Sequence, residues 1–277
     1  MATPIINPWT LTGTLREKII TDFFIPQIKK ATVATAMLTT ETGLKTKSIK
    51  VWGVGAVAIS DYTGGRITNQ HNYTNTSVDL VLDQAKSFSE DISRLENEAS
   101  AINVLPGVLE AGAQGIAESI DAFAFAQLAT TTEEVATIVL DETNAIDWLL
   151  SMKTKLTKLG APTLGRKLAV TPEAGAIFSK VISASGSDSL ATEAGLNGAV
   201  GHYGGFDIYE SDFLADGANG KYAIASVQRG GALGIGFNEL GVDAIPGSPI
   251  DNAWTVVQYG CEVVQPKFIV KSDIKTA

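Results

Sequence analysis

The side chains of this chain that could do chemistry are its histidines, its single cysteine, its carboxylates and two glycine-rich runs, and their spacing does not assemble a reactive centre. The two histidines, His71 and His202, stand in a polar and a glycine-rich stretch, with no partner at the spacing that places two imidazoles on one helix face. Cys261 is the only cysteine, so neither an internal disulfide nor a cysteine-histidine zinc set can form, and a buried small hydrophobe is expected. The run Gly160-Ala161-Pro162-Thr163-Leu164-Gly165-Arg166-Lys167 imitates the glycine spacing of a phosphate-binding loop. It lacks the lysine and hydroxyl residue directly after the second glycine, and it follows a helical pattern and opens a strand, the reverse of the required context. Gly231, Gly234 and Gly236 reverse the order of a dinucleotide fingerprint. No Gly-x-Ser-x-Gly elbow occurs, and no carboxylate spacing distinguishes an acid/base pair. The expectation is no enzyme: no catalytic, cofactor-binding or metal-binding residues, and no cofactor.

Charge says more by its distribution than by its sum. The net charge of −9 has the wrong sign for a chain that holds nucleic acid by neutralising phosphates. From residue 31 to 75, Lys45, Lys47, Lys50 and Arg66 outnumber Glu41 and Asp61. From 76 to 129 the acids dominate, among them Glu96, Glu98, Glu110 and Glu118. A basic loop followed by an acidic helical region suits a contact between copies. Charged residues are 18% of the chain against hydrophobic residues at 45%, with mean hydropathy +0.15, so partners are expected to cover much of the surface. The apolar run from Val51 to Ile59 is too short to cross a bilayer, and the N-terminal residues do not read as a signal peptide; no membrane partner is expected.

The elements that must position these charges follow from periodicity. Pro106 to Ala129 carries apolar residues at three-and-four spacing, Val108, Leu109, Ile116, Ile120, Phe123, Ala124 and Leu128, which predicts a helix roughly 36 Å long with Pro106 in its first turn. Gly112 and Gly115 within it imply that another backbone comes close. Residues 1–40 read as an arm interrupted by prolines. Lys47 to Ile59 and Ile67 to Val81 read as a long two-stranded excursion, too polar to build a core of its own. Residues 88–100 are helical in pattern, with Phe88, Ile92, Leu95 and Ala99 on one side and a break near Val104. Strands at 135–140, 167–170, 206–210, 221–227, 239–245 and 254–264, with helices at 144–159 and 172–182, give an α+β pattern.

In order along the chain, several pieces resemble those of the major capsid proteins of tailed double-stranded-DNA phages, the Hong Kong 97-like coat fold. They are Asp61-Tyr62-Thr63 with Ile67-Thr68-Asn69-Gln70; Leu82-Asp83-Gln84-Ala85-Lys86; Ser119-Ile120-Asp121; Leu168-Ala169-Val170-Thr171-Pro172-Glu173; Gly205-Phe206-Asp207-Ile208-Tyr209-Glu210-Ser211; and Tyr259-Gly260-Cys261-Glu262-Val263-Val264-Gln265-Pro266. The resemblance implies an N-terminal arm (1–40), an extended loop (41–78), a spine helix with part of a peripheral domain (79–139), an axial domain (140–235) and C-terminal strands returning to the peripheral domain (236–277). It implies an icosahedral shell of hexamers and pentamers around packaged DNA, assembled in the host cytoplasm and located in the virion. A separate scaffolding protein, a portal and a decoration protein are the expected partners. An encapsulin-like nanocompartment shares the fold and is the nearest alternative; a soluble α/β enzyme is the remote one. Lys45, Lys47, Lys50 and Arg66 are expected to meet Glu96, Glu98, Glu110 or Glu118 of a neighbour. No motif fixes a covalent link between a loop lysine and Asn252.

Overall fold

The computed structural model describes residues 25–42, 47–54, 75–93, 104–184 and 201–276. Helices α1 (Ile25–Ala31) and α2 (Val33–Met37) open it, followed by strands β1 (Thr39–Thr42), β2 (Ser48–Val54), β3 (Asn75–Val81) and β4 (Gln84–Ser93). Then come helix α3 (Val104–Leu128), β5 (Glu134–Leu140), α4 (Ala145–Lys158), β6 (Arg166–Val170) and α5 (Pro172–Ala184). The rest is strand: β7 (Gly201–Tyr203), β8 (Phe206–Glu210), β9 (Lys221–Val227), β10 (Gly231–Ala244), β11 (Ile250–Val263) and β12 (Ile269–Thr276). They form a four-stranded sheet in the order β1-β10-β11-β4, a six-stranded sheet in the order β5-β12-β9-β6-β8-β7, and the β2-β3 hairpin.

Helix α3 is the support for the first core. Its buried stripe is Leu109, Ala113, Ile116, Ala117, Ile120, Ala124, Phe125 and Leu128, and the alanines let it lie close to the sheet. It packs on Leu233 and Ile235 of β10 and Val257, Tyr259 and Cys261 of β11, with Ile28, Met37 and Leu38 closing the side. The second core lies under α4. Trp148, Leu149, Met152 and Leu156 pack with Phe178 of α5 on Leu168, Val170, Phe206, Ile208, Ala225 and Val270. Because side chains alternate along a strand, Ala169, Ile224 and Ile269 point to the other face of the six-stranded sheet and join the first core. That sheet is thus buried on both faces, which explains runs such as Leu168-Ala169-Val170, all at 0% exposure.

One reading is corrected. The helical pattern at 88–100 is strand through Ser93: β4 pairs antiparallel with β11 from Gln84↔Tyr259 to Ser93↔Ile250. Phe88 and Ile92 are four residues apart, which satisfies a helix repeat and a strand repeat alike, and the ten-residue ladder decides. The remainder of that stretch lies outside the described residues. The strands from β10 onward divide between the sheets: β10 and β11 form the centre of the four-stranded sheet, and β12 inserts between β5 and β9 of the other.

Candidate assembly surfaces

Helix α3 presents opposite faces to core and solvent, so its charges fall on one side. Glu110, Gln114 and Glu118 are exposed, and the Gln114 amide donates to Glu118 at 3.4 Å. One acid is the exception. Asp121 is 2% exposed, and its two carboxylate oxygens accept the backbone N–H groups of Val33 and Ala34, each at 2.9 Å. Those are orphan donors of the first turn of α2, which has no cap from its own Thr32. Burial pushes the Asp121 carboxyl up to about 6, against the opposing pull of the two N–H donors. At the other end of α3, the Lys271 ammonium from β12 donates to the Ala129 carbonyl at 2.8 Å and lies 4.7 Å from the centre of the Tyr222 ring. Helix α3 is therefore tied to α2 in its second half and to the six-stranded sheet at its end.

The two glycines of α3 differ. A Cβ on Gly112 would run into the Phe88 ring, so the close approach is made by a side chain of β4, not by another backbone. At Gly115 nothing lies within 4 Å. Both line an open groove of about 480 Å³ between α3 and β4, with Lys86 and Glu90 among its other lining residues.

The hairpin β2-β3 is paired from Ser48↔Val81 to Val54↔Asn75. Its root is anchored: Leu80 and Leu82 are buried, the Leu82 N–H donates to the Lys47 carbonyl at 2.8 Å, and a Cβ on Gly260 of β11 would strike the Val81 carbonyl. Lys47 and Lys50 are exposed and form no ion pair among the described residues. No ion pair joins them to Glu110 or Glu118 of the same chain. Lys45, Arg66, Glu96 and Glu98 lie outside the described residues, as do His71 and the hairpin tip.

The groups that spacing marked as chemically weak have structural employment. Gly160 and Gly165 adopt φ of 80° and 72°, and the Arg166 guanidinium between the end of α4 and β6 donates to the carbonyls of Pro162, Ala161 and Lys153 and to the Thr157 hydroxyl at 2.7, 2.9, 3.2 and 3.0 Å. The run that imitates a phosphate loop is a helix stop, and its arginine is spent on it. Gly231, Gly234 and Gly236 lie in β10. Burial pushes the Cys261 thiol up to about 12, so it is not a nucleophile near neutrality. His202 meets Asp207 at 2.7 Å on an exposed sheet edge. Among the described residues, no group of three or more His, Cys, Asp or Glu is placed to hold a metal ion, and no helix is long and apolar enough to cross a membrane.

Two residues had no part in the sequence reading of the surface, Trp254 and Asp243, and Asp91 entered it only as one of the acids of residues 76–129. The indole N–H of Trp254 donates to Asp243 at 2.6 Å, and Asn252 donates to Asp91 at 2.7 Å. The alternation of Asn252, Trp254, Val256 and Gln258 with buried residues was the available signal, since it marks a strand with one open face.

No family model matches the chain, and no curated protein matches its sequence. Solved structures do. One from Mycobacterium phage Che8 is 26% identical, with 82% of this chain and 85% of that chain covered at a TM-score of 0.61. The capsid structure of the cyanophage P-SCSP1u is 13% identical, covering 90% and 89% at 0.61. A virus-like particle from Pyrococcus furiosus is 11% identical, covering 93% and 99% at 0.57. Capsids of phage PhiM1 and Ralstonia phage GP4 are among the other similar structures, and the chain shares the mixed α+β fold of these capsid proteins over most of its length.

Proposed function

We propose that the chain is the major capsid protein of a tailed double-stranded-DNA phage, a Hong Kong 97-like subunit whose copies close into an icosahedral shell around the genome. The observation that carries this reading is the likeness to phage capsid subunits along nearly the whole length of both chains. The exposed basic hairpin and the solvent-facing acids fit a subunit that is completed by its neighbours. A repeated contact closes on itself when its rotation is fixed, and weak interfaces add up once each copy has several partners. In this reading α3 is the spine, residues 140–235 the axial domain, and the sheet of β4, β10 and β11 the peripheral domain. A scaffolding protein, a portal and a decoration protein complete the particle, which assembles in the host cytoplasm.

The basic hairpin residues Lys45, Lys47, Lys50 and Arg66 meet carboxylates of the next copy. Glu96, Glu98, Glu110 and Glu118 are the acids that the sequence offers, and the open face of the four-stranded sheet offers others. Exposed pairs contribute only about 0 to 1 kcal/mol each, so they set register more than affinity.

A second reading, a cellular nanocompartment shell, is favoured by the likeness to the Pyrococcus furiosus particle. Negative-stain imaging of the expressed chain, followed by nuclease protection of particles recovered from the native source, tests the proposal. Closed shells holding nuclease-resistant genomic DNA are expected. Shells holding a protein cargo support the second reading, and a small oligomer rejects both.

A further inference from the structure

We infer that Asn219-Gly220, in the loop between β8 and β9, is a self-modification site, at which the Asp273 carboxylate of β12 drives closure of Asn219 to a succinimide and its conversion to aspartate and isoaspartate. The inference goes beyond the shell-subunit reading and does not depend on it.

The loop and a strand irregularity build the site together. The chain turns back between Asp216 and Lys221, which pair in an isolated antiparallel bridge, and the Gly217 N–H donates to the Gly220 carbonyl at 2.6 Å. On β12 the ladder to β5 shifts register between Ser272 and Ile274, so Asp273 drops out of that pairing, and such irregularities re-aim a side chain. Asp273 is buried. A Cβ on Gly217 would stand 2.5 Å from Asp273 Oδ1 and one on Gly220 2.0 Å from the Ile274 carbonyl oxygen, so the two glycines let the loop close over the carboxylate. Asn219 is exposed, within reach of water.

The contacts of Asp273 divide by chemistry. Oδ1 accepts the Gly220 N–H at 3.0 Å, and Oδ2 accepts the Asn219 side-chain N–H at 3.1 Å and the Asn219 backbone N–H at 2.9 Å. The two backbone donors suffice to hold the turn. The third contact sets the departing nitrogen on the same carboxyl group that holds the attacking one, which is the placement a general base and acid needs. As the Gly220 nitrogen bonds to Asn219 Cγ, its proton passes to Oδ1. The bond from Cγ to Nδ2 then breaks, the carboxyl group gives a proton to Nδ2, and ammonia leaves with Asp273 again a carboxylate. Glycine after the asparagine leaves the attacking nitrogen unhindered by a Cβ. Water opens the ring at either carbonyl, giving aspartate or an isoaspartate with an added methylene in the main chain. Both products set a second carboxylate beside the buried Asp273, and like-charge repulsion loosens the loop from β12.

The test incubates the purified full-length chain at neutral pH, folded and, separately, unfolded in guanidinium chloride, and follows amide-to-carboxyl conversion at Asn219 by peptide mass spectrometry. Unfolding takes Asp273 away, so it reads the intrinsic rate of an Asn-Gly pair, and Asn197-Gly198 should match that rate there. Asn219 is expected to convert about tenfold faster in the folded chain than in the unfolded one, and D273N, its fold checked by circular dichroism, to lose the acceleration. If D273N does not fold, the comparison within the native sequence decides. A folded chain that converts Asn219 no faster than the unfolded chain, or a folded D273N that converts it as fast as the native, would overturn the inference. Neither result depends on whether shells form, so a failure of the shell-subunit reading is told apart.

Discussion

The carboxylate of Asp121, in the second half of α3, accepts the backbone N–H of Ala34 at 2.9 Å, eighty-seven positions earlier in the chain. Its other oxygen takes the N–H of Val33, so one buried acid of α3 supplies the cap of α2. Asp121→Ala leaves two donors without their acceptor and is expected to cost about 2 kcal/mol, read from the urea midpoint of the unassembled chain. A change below about 0.5 kcal/mol would mean that α1 and α2 hold without it.

The same group makes stability depend on pH. Its folded value of about 6 exceeds the ordinary 3.8, so the folded chain binds this proton more tightly than the unfolded chain does. Stability therefore falls as pH rises from about 4 to about 6 and levels off above, by on the order of 3 kcal/mol from this group. Asp121→Asn lacks the titration, and the difference between the two proteins, measured by denaturation at several pH values, should slope only inside that window.

The glycines of α3 should answer alanine with opposite signs. Gly115→Ala meets open space and gains helix propensity, a stabilisation of up to about 1 kcal/mol. Gly112→Ala must displace the Phe88 ring, and overpacking of about 1 to 3 kcal/mol outweighs the same gain. Equal shifts in melting temperature would contradict this geometry.

Arg166, 2% exposed, satisfies four acceptors at the end of α4 with no carboxylate partner among the described residues. Arg166→Met is expected to cost about 3 kcal/mol, and Arg166→Lys to recover little, because an ammonium cannot reproduce the planar fork. Thermal unfolding of both variants checks it; near-complete rescue by lysine would show that charge alone suffices.

Local periodicity made α3, α4 and the buried strands β6, β8 and β9 legible, because one-sided or continuous apolar patterns have few alternative readings. It failed at β4, where Phe88 and Ile92 fit two periods and only the partner strand β11 decides. The surface was harder. Glu110 and Glu118 were recognisable as exposed acids, whereas Asp121, equally acidic and on the same helix, is buried because α2 lies over it. The row Asp243-Asn252-Asp91 unites residues from three strands, and no spacing within one segment reveals it.

Sedimentation velocity of the purified full-length chain tests the central claim most directly. Closed shells predict a single fast boundary with the mass of many copies, present above a threshold concentration and dispersing below it. A slow boundary at the 29.1 kDa of one chain, unchanged across the concentration range, would contradict the account.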